Sequence, residues 1–391
     1  MGVPICEIAM SQNKTAEALF NRMWFSRVTV KSSDCGANAD GGGGFQPGNT
    51  CGADGKSGAG DSDVVADTGR TALQVAYERR KKNPAGVANP IDIPLHYSTM
   101  EEIKEAKSVK SPSSPDKIND YIAEIKATKI HKKVNELLAH VEAATITGDV
   151  RYASIEMNIE CCPSAEDIKK GKVDFTPERS DLHDKIAKTM LPEDTRAIAG
   201  QRPVAVLLIG PPGAGKSSAG QPIIDSLGVK FALVNNDDVK TVLPEYRGWN
   251  AAMVHEESAM IVEDMVLPQA IYDQKNVVVD GVGNSSKKMI ELANKMHMNG
   301  YDVNVVHVTI PTEQTVARAW GRFADSAFKH HHAEPGRYVP IDYVAHSVGQ
   351  NPTRTYADLK KSGYVHSWAS YSNDVPRGTK PKLLDEGKID G

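Results

Sequence analysis

Gly210-Pro211-Pro212-Gly213-Ala214-Gly215-Lys216-Ser217 follows the apolar run VAVLLI (204–209) and leads into a segment with helical spacing. It fits G-x-x-x-x-G-K-[ST] in the strand–loop–helix setting that this pattern requires. The spacing has a chemical reason. Glycines let backbone N–H groups turn inward into a nest for phosphate oxygens, and a helix starting at the loop points its positive end at the same anion. Lys216 then reaches the β- and γ-phosphates of a nucleoside triphosphate, and Ser217 offers a hydroxyl to Mg²⁺. The nucleotide-binding set read from the sequence is Gly210, Pro211, Pro212, Gly213, Ala214, Gly215, Lys216, Ser217 and Ser218, with Arg318 added from further along. ATP and Mg²⁺ are the expected cofactors.

Where the γ-phosphate goes is a separate question. No N/T-K-x-D base-reading motif follows a later strand, which argues against a GTPase. NVVVD (276–280) ends in Asp280, and the next residue is Gly281, which has no side chain to polarise water. A small-molecule kinase instead needs an acid to take the acceptor's proton and cations to clamp the transferring phosphoryl group. Asp237 and Asp238 supply the acid just past FALVNN (231–236). Arg318, Arg322 and Arg337 supply the cations after VNVVHVTI (303–310). Asp237 also suits a helix N-cap, and arginines are common surface charge.

The elements that must position these residues are legible as well. The four β-branched runs are of the kind buried on both faces of a parallel sheet, and MVHEESAMIVEDMVLPQAIYDQ (253–274) fits a crossover helix. The fold class expected is α/β: a P-loop NTPase-type, mostly parallel sheet flanked by helices, over residues 175–345. Residues 1–62 include KSSDCGANADGGGGFQPGNTCGADGKSGAGD, which has little apolar mass and reads as a flexible, Gly-rich segment. Residues 63–174 read as a mainly helical accessory region. Its clearest element is 116–144, where Ile118, Tyr121, Ile122 and Ile125, then Val134, Leu137, Leu138 and Val141, recur at helical spacing. Residues 346–391 read as a peripheral C-terminal segment of loops.

Composition excludes several classes. The net charge of −4 offers no global basic field for nucleic acid, and 6% aromatic residues make a poor base-stacking platform. No apolar run is long enough to span a bilayer, and the first residues lack the charge and hydropathy of an export signal. The five cysteines, Cys6, Cys35, Cys51, Cys161 and Cys162, form neither a disulfide framework nor a zinc-ligand pattern. The expected location is cytoplasmic, with no membrane partner and no nucleic-acid partner.

PPGAGKSS, VNNDDVKTVLPEY, NVVVDGVG, GYDVNVVHVTIP and ARAWGRF together resemble the zeta toxin family of P-loop kinases over about residues 180–345. The resemblance implies transfer of the ATP γ-phosphate to a sugar hydroxyl of a small nucleotide-type acceptor, with UDP-N-acetylglucosamine the first candidate, by a toxin-like enzyme. It places the catalytic aspartate on Asp237, with Asn235 where the family has a first aspartate. Lys216 and Ser217 take the loop positions, and Arg322 and Arg337 those of the lid arginines. The family's substrate-side glutamate falls near Asp264. Where the family has E-G-T-G-R, this chain has Asp280-Gly281-Val282-Gly283-Asn284, so a threonine and an arginine that contact the sugar nucleotide are missing. Asp264, Asp280, His255 and Glu256, with Glu257 beside them, are the candidate acceptor residues. His330, His331 and His332 decorate the lid rather than bind a metal, because three consecutive side chains do not converge on one ion. A protein antitoxin or chaperone is the partner implied. The competing readings are a polynucleotide-end kinase and a non-enzymatic, ATP-switched interaction module.

Overall fold

The computed structural model describes residues 100–112, 114–160, 163–326, 337–376 and 378–389. The Gly-rich block 1–62, residues 63–99, Cys161, Cys162 and the histidines at 330–332 lie outside the described residues. Two units interleave along the chain. One comprises residues 100–131, 183–242 and 258–389, and the other Lys132–Leu182 and Leu243–Glu257.

Helix α1 spans Met100–Ser108, α2 Ile118–Ala127 and α3 Lys129–Glu142. The amphipathic stripe over 116–144 is thus two helices with a break at Thr128, whose backbone is extended (ψ 144°). The Thr128 hydroxyl donates to the Ile125 carbonyl at 2.7 Å and accepts from the His131 N–H at 3.3 Å. One side chain therefore ends a helix and caps the next. Tyr121, Ile122, Ile125, Val134, Leu137, Leu138 and Val141 are all buried, as the spacing requires. Trp320 Nε1 donates to the Ala106 carbonyl at 3.0 Å, a contact that fixes α1 within the sheet-bearing unit.

The interleaved unit without the sheet carries α4 (Ala153–Asn158), α5 (Ala165–Lys169) and the start of α6 (Pro177–Met190). Ile155, Ile159 and Ile168 form its apolar centre. Beside its apolar contacts it buries charge. Arg179 forks onto Glu257 (2.5 and 2.8 Å) and Glu245 (2.9 and 3.1 Å), and all three are at most 3% exposed. Burial alone would lower the Arg179 pKa, but the two carboxylates outweigh it and hold the guanidinium charged. Arg179→Met leaves both carboxylates buried without a cation, and should cost about 3–5 kcal/mol of stability in denaturant unfolding. Wild-type stability in that variant would mean the cluster is not closed in solution.

The other unit is built on a six-stranded sheet: β1 Val204–Ile209, β2 Ala232–Val234, β3 Val277–Gly281, β4 Asp302–Thr309, β5 Ser367–Ser372 and β6 Lys382–Lys388. The order is β2-β3-β1-β4-β5-β6, with every pairing parallel except β5–β6. Strand β1 is central, and Ala205 to Ile209 are at most 2% exposed, which is why its sequence reads as an unbroken apolar run. The connecting helices are α7 (Lys216–Ser226), α8 (Asn236–Val242), α9 (His255–Met260), α10 (Leu267–Tyr272), α11 (Ser286–Met298), α12 (Thr312–Ser326) and α13 (Asn351–Lys361). A π-turn, Ile261–Val266, joins α9 to α10. Pro268 follows that turn, and the wider winding accommodates a ring that would otherwise meet the carbonyl four residues back.

Two expectations change here. FALVNN forms a strand only to Val234, because Asn235 begins the cap of α8. Residues 346–391 are not peripheral loops: they supply α13 and two sheet strands, with β5 in parallel register on β4. Neither β5 (SWASYS) nor β6 (KLLDEGK) carries the apolar run of a buried strand.

His307 on β4 is buried, with Nδ1 2.8 Å from the Ser370 hydroxyl and its ring stacked on Tyr356. Its Nε2 has no partner, and burial pushes the imidazole down to about 4 from 6.5. The unfolded chain therefore takes up this proton more readily. Stability is complete above pH 6.5 and is lost as pH falls towards 4, by up to about 3 kcal/mol. His307→Phe should flatten that slope in unfolding curves recorded across the window. An unchanged slope would mean the imidazole is not neutral in the folded chain.

Candidate active site

Strand β1 delivers Gly210 to the carboxyl edge of the sheet, between the ends of β3 and β4. This is the switch point at which open α/β sheets bind ligands. The Gly210 N–H donates to the Val282 carbonyl at 3.2 Å, and a side chain at position 210 would collide with the Val308 carbonyl. The loop then turns through Gly213 and Gly215, both in the left-handed region at φ +78°. Helix α7 starts at Lys216, so the N–H groups of Lys216, Ser217 and Ser218 have no carbonyl one turn back and face an incoming anion.

Lys216 bends back over the loop. Its Nζ donates to the Gly210 carbonyl at 3.2 Å and lies 3.5 Å from Asp280 Oδ1. Burial pushes the ammonium below its ordinary range, Asp280 opposes that, and the positive charges of Arg337 and Arg322 add to it. Burial also raises the Asp280 carboxyl, against the pull of Lys216. Triphosphate charge is the natural complement of such a cluster of cations. Arg318 packs on the outer side of the loop, donating to the carbonyls of Gly213 (3.4 Å) and Asn373 (3.1 Å).

The acids at α8 divide their roles. Asn235 is the cap: its Oδ1 accepts from the Asp238 N–H and its Nδ2 donates to the Asp238 carboxylate, each at 2.7 Å. That reciprocal pair resembles a capping box, with the return bond coming from the Asn235 side chain in place of its backbone N–H, and it occupies Asp238. Asp237 is left to make other contacts. Its carboxylate takes the Lys240 ammonium at 3.2 Å on one oxygen and Arg337 Nη1 on the other.

A model of the zeta toxin family matches residues 188–366. Residues 188–366 form a zeta toxin domain, a P-loop kinase domain. No curated protein matches the chain. Among solved structures, one from the PezAT chromosomal toxin–antitoxin system of Streptococcus pneumoniae is 13% identical, with a TM-score of 0.41, over 55% of this chain and 82% of that one. The AvrRxo1-ORF1:ORF2 structure with ATP is 16% identical, TM-score 0.41, over 55% of this chain and 68% of that one. The same complex with sulphate ions gives 16%, 0.44, 60% and 76%.

The zeta toxin domain gathers Lys216, Asp237, Asp280, Arg318 and Arg337 at the carboxyl end of its sheet, and the charge of Arg322 acts on Lys216 there. Other candidates lie elsewhere. Asp264 is exposed on the π-turn. His255 and Glu256 open α9 in the interleaved unit, where Glu256 pairs with Arg151 at 3.0 Å. Glu257 is fully buried against Arg179, which corrects its reading as an acceptor residue. Asn284, at the position where the family has an arginine, accepts from the Asn351 side chain at 2.8 Å. Two functional contacts escape sequence reasoning. Lys240 stands in the quoted aspartate block, so a basic residue one helical turn after Asp237 was a usable signal. Asn373 follows a strand with no apolar pattern, and nothing in the sequence marks it.

Proposed function

We propose that the zeta toxin domain transfers the γ-phosphoryl group of ATP to a sugar hydroxyl of a small nucleotide-type acceptor. The observation that carries this reading is Asp237 beside Arg337 at the same sheet edge as the loop lysine. Asn235 caps α8 with Asp238 and not with Asp237, whose carboxylate exchanges a contact with Lys240 or Arg337 for the acceptor hydroxyl as it takes that proton. The oxygen so activated attacks the γ-phosphorus, and the bond to the ADP oxygen breaks. Lys216, Arg322 and Arg337 hold the charge that spreads over the phosphoryl oxygens. The exposed Ser217 hydroxyl and the Asp280 carboxylate are hard oxygen donors of the kind Mg²⁺ prefers. The ion would neutralise phosphate charge there.

The acceptor is the least constrained part. Val282 and Asn284 remove a hydroxyl and a cation from the family's sugar-nucleotide grip, and Asn284 is engaged by Asn351. UDP-N-acetylglucosamine is the first acceptor to test, beside NAD and simple nucleosides, with labelled ATP and mass spectrometry of the products. Activity confined to nucleic-acid ends would overturn the small-molecule reading. A protein antitoxin or chaperone that restrains the kinase in the cytoplasm completes the proposal, and co-purification from the source cell tests it. No helix among the described residues is long and apolar enough to cross a membrane.

The arginines give a graded prediction. Arg322→Ala and Arg337→Ala should each lower turnover by about 10²-fold or more, with ATP affinity changed only a few-fold, because they serve charge that develops in the transition state. An effect on affinity alone would contradict their assignment.

A further inference from the structure

Asn373 lies at the end of β5, 159 residues from the phosphate loop in sequence and in direct contact with it in space. Its Nδ2 donates to the Ala214 carbonyl at 2.7 Å, and its own backbone is held twice. Its N–H donates to the Thr309 carbonyl at the end of β4 (2.9 Å), and its carbonyl accepts from Arg318 Nη2 (3.1 Å). Arg318 in turn donates to the Gly213 carbonyl. Two successive loop carbonyls are therefore held by two linked side chains, Gly213 by Arg318 and Ala214 by Asn373.

The consequence follows from the planar trans peptide. Its C=O and N–H point in opposite directions, so a carbonyl fixed outward aims the next N–H inward. With Ala214 C=O fixed on Asn373, the Gly215 N–H is turned the other way, into the nest. The Asn373 amide sits so close to Gly215 that a side chain there would collide with it. Glycine at 215 thus serves both the left-handed turn and this contact.

We infer that Asn373 is a positioning residue for phosphate binding: it holds the Ala214–Gly215 peptide so that the Gly215 N–H is presented to the triphosphate before the ligand arrives. The inference rests on the kinase reading above and deepens it. Without the clasp the loop samples other peptide orientations, and ATP must select the competent one, which lowers its apparent affinity by the competent fraction.

Two variants separate geometry from charge. Asn373→Asp keeps the shape but has no donor for Ala214, and Asn373→Ala removes the group without adding charge. Each should weaken binding of ATP and of inorganic tripolyphosphate by roughly tenfold, the scale of one lost hydrogen bond in a preorganised site. Hydrogen exchange of residues 211–217, measured without ligand, should speed up in both variants while β1 and β4 stay protected. Equal exchange in wild type and variants, or equal tripolyphosphate affinity, would overturn the positioning role even if the enzyme is a kinase. Failure of the wild-type chain to bind ATP at all would overturn the kinase reading itself, whereas the exchange result would still report whether the clasp exists. Loss of protection throughout the sheet would also count against the inference, since it would make Asn373 a residue of the fold and not of the loop.

Discussion

Lys216→Ala should bring phosphoryl transfer close to background, a loss of about 10³-fold or more, and should weaken ATP binding as well. The lysine is the one ammonium inside the loop, with its Nζ on the Gly210 carbonyl and 3.5 Å from Asp280. The positive charges of Arg322 and Arg337 bear on it, but the loop itself holds no second ammonium to take its place. Its removal also strips Asp280 of its nearest opposing charge, and the carboxyl that burial already raises would rise further. The rise lets the carboxyl take up a proton more readily and lessens its repulsion of phosphate, so the loss of ATP affinity is that of the missing ammonium. Turnover and ATP affinity measured on the same preparation check this. Normal turnover in Lys216→Ala would remove the phosphate loop from the mechanism.

Asp237→Asn should leave ATP binding within a few-fold of wild type and lower transfer by about 10²–10⁴-fold. The substitution keeps the shape of the side chain and removes the proton acceptor. Asp238→Asn is the matched control. The Asp238 carboxylate belongs to the capping pair with Asn235, so the control should alter helix stability by about 1 kcal/mol and turnover little. The two variants, assayed side by side for rate and thermal stability, divide the roles that their adjacency confuses. Loss of activity in Asp238→Asn with Asp237→Asn silent would reverse the assignment. Replacement of Asp237 without any loss of function would favour an ATP-switched interaction module over an enzyme.

How much of this was legible in the sequence differs from element to element. VAVLLI matched β1 residue for residue, because a strand buried on both faces must be apolar throughout. The β3 and β4 runs were legible for the same reason, within a residue at each end. Strand β5 was not, since its side chains are mostly half-buried near the sheet edge and show no apolar run. The stripe over 116–144 gave the buried face correctly and concealed the break at Thr128, where one hydroxyl serves two helix ends. His255, Glu256 and Glu257 were grouped by adjacency. The fold sends Glu257 inward to Arg179, 78 residues away, and sets Glu256 against Arg151.

By itself, then, the sequence determined the proposed phosphate-binding loop. Its parts are contiguous: turn, nest, lysine and helix start all lie within nine residues from Gly210 to Ser218, at the spacing that a phosphate-binding loop requires. It also determined the sheet's buried centre, through runs that only a doubly covered strand requires. The tertiary structure alone decided which of two adjacent acids meets Arg337 and which closes a helix cap. It alone placed Asn373 on the loop. Contacts of this second kind join segments that the chain brings together only by folding. Each rests on one polar side chain, and one side chain leaves no periodicity to read.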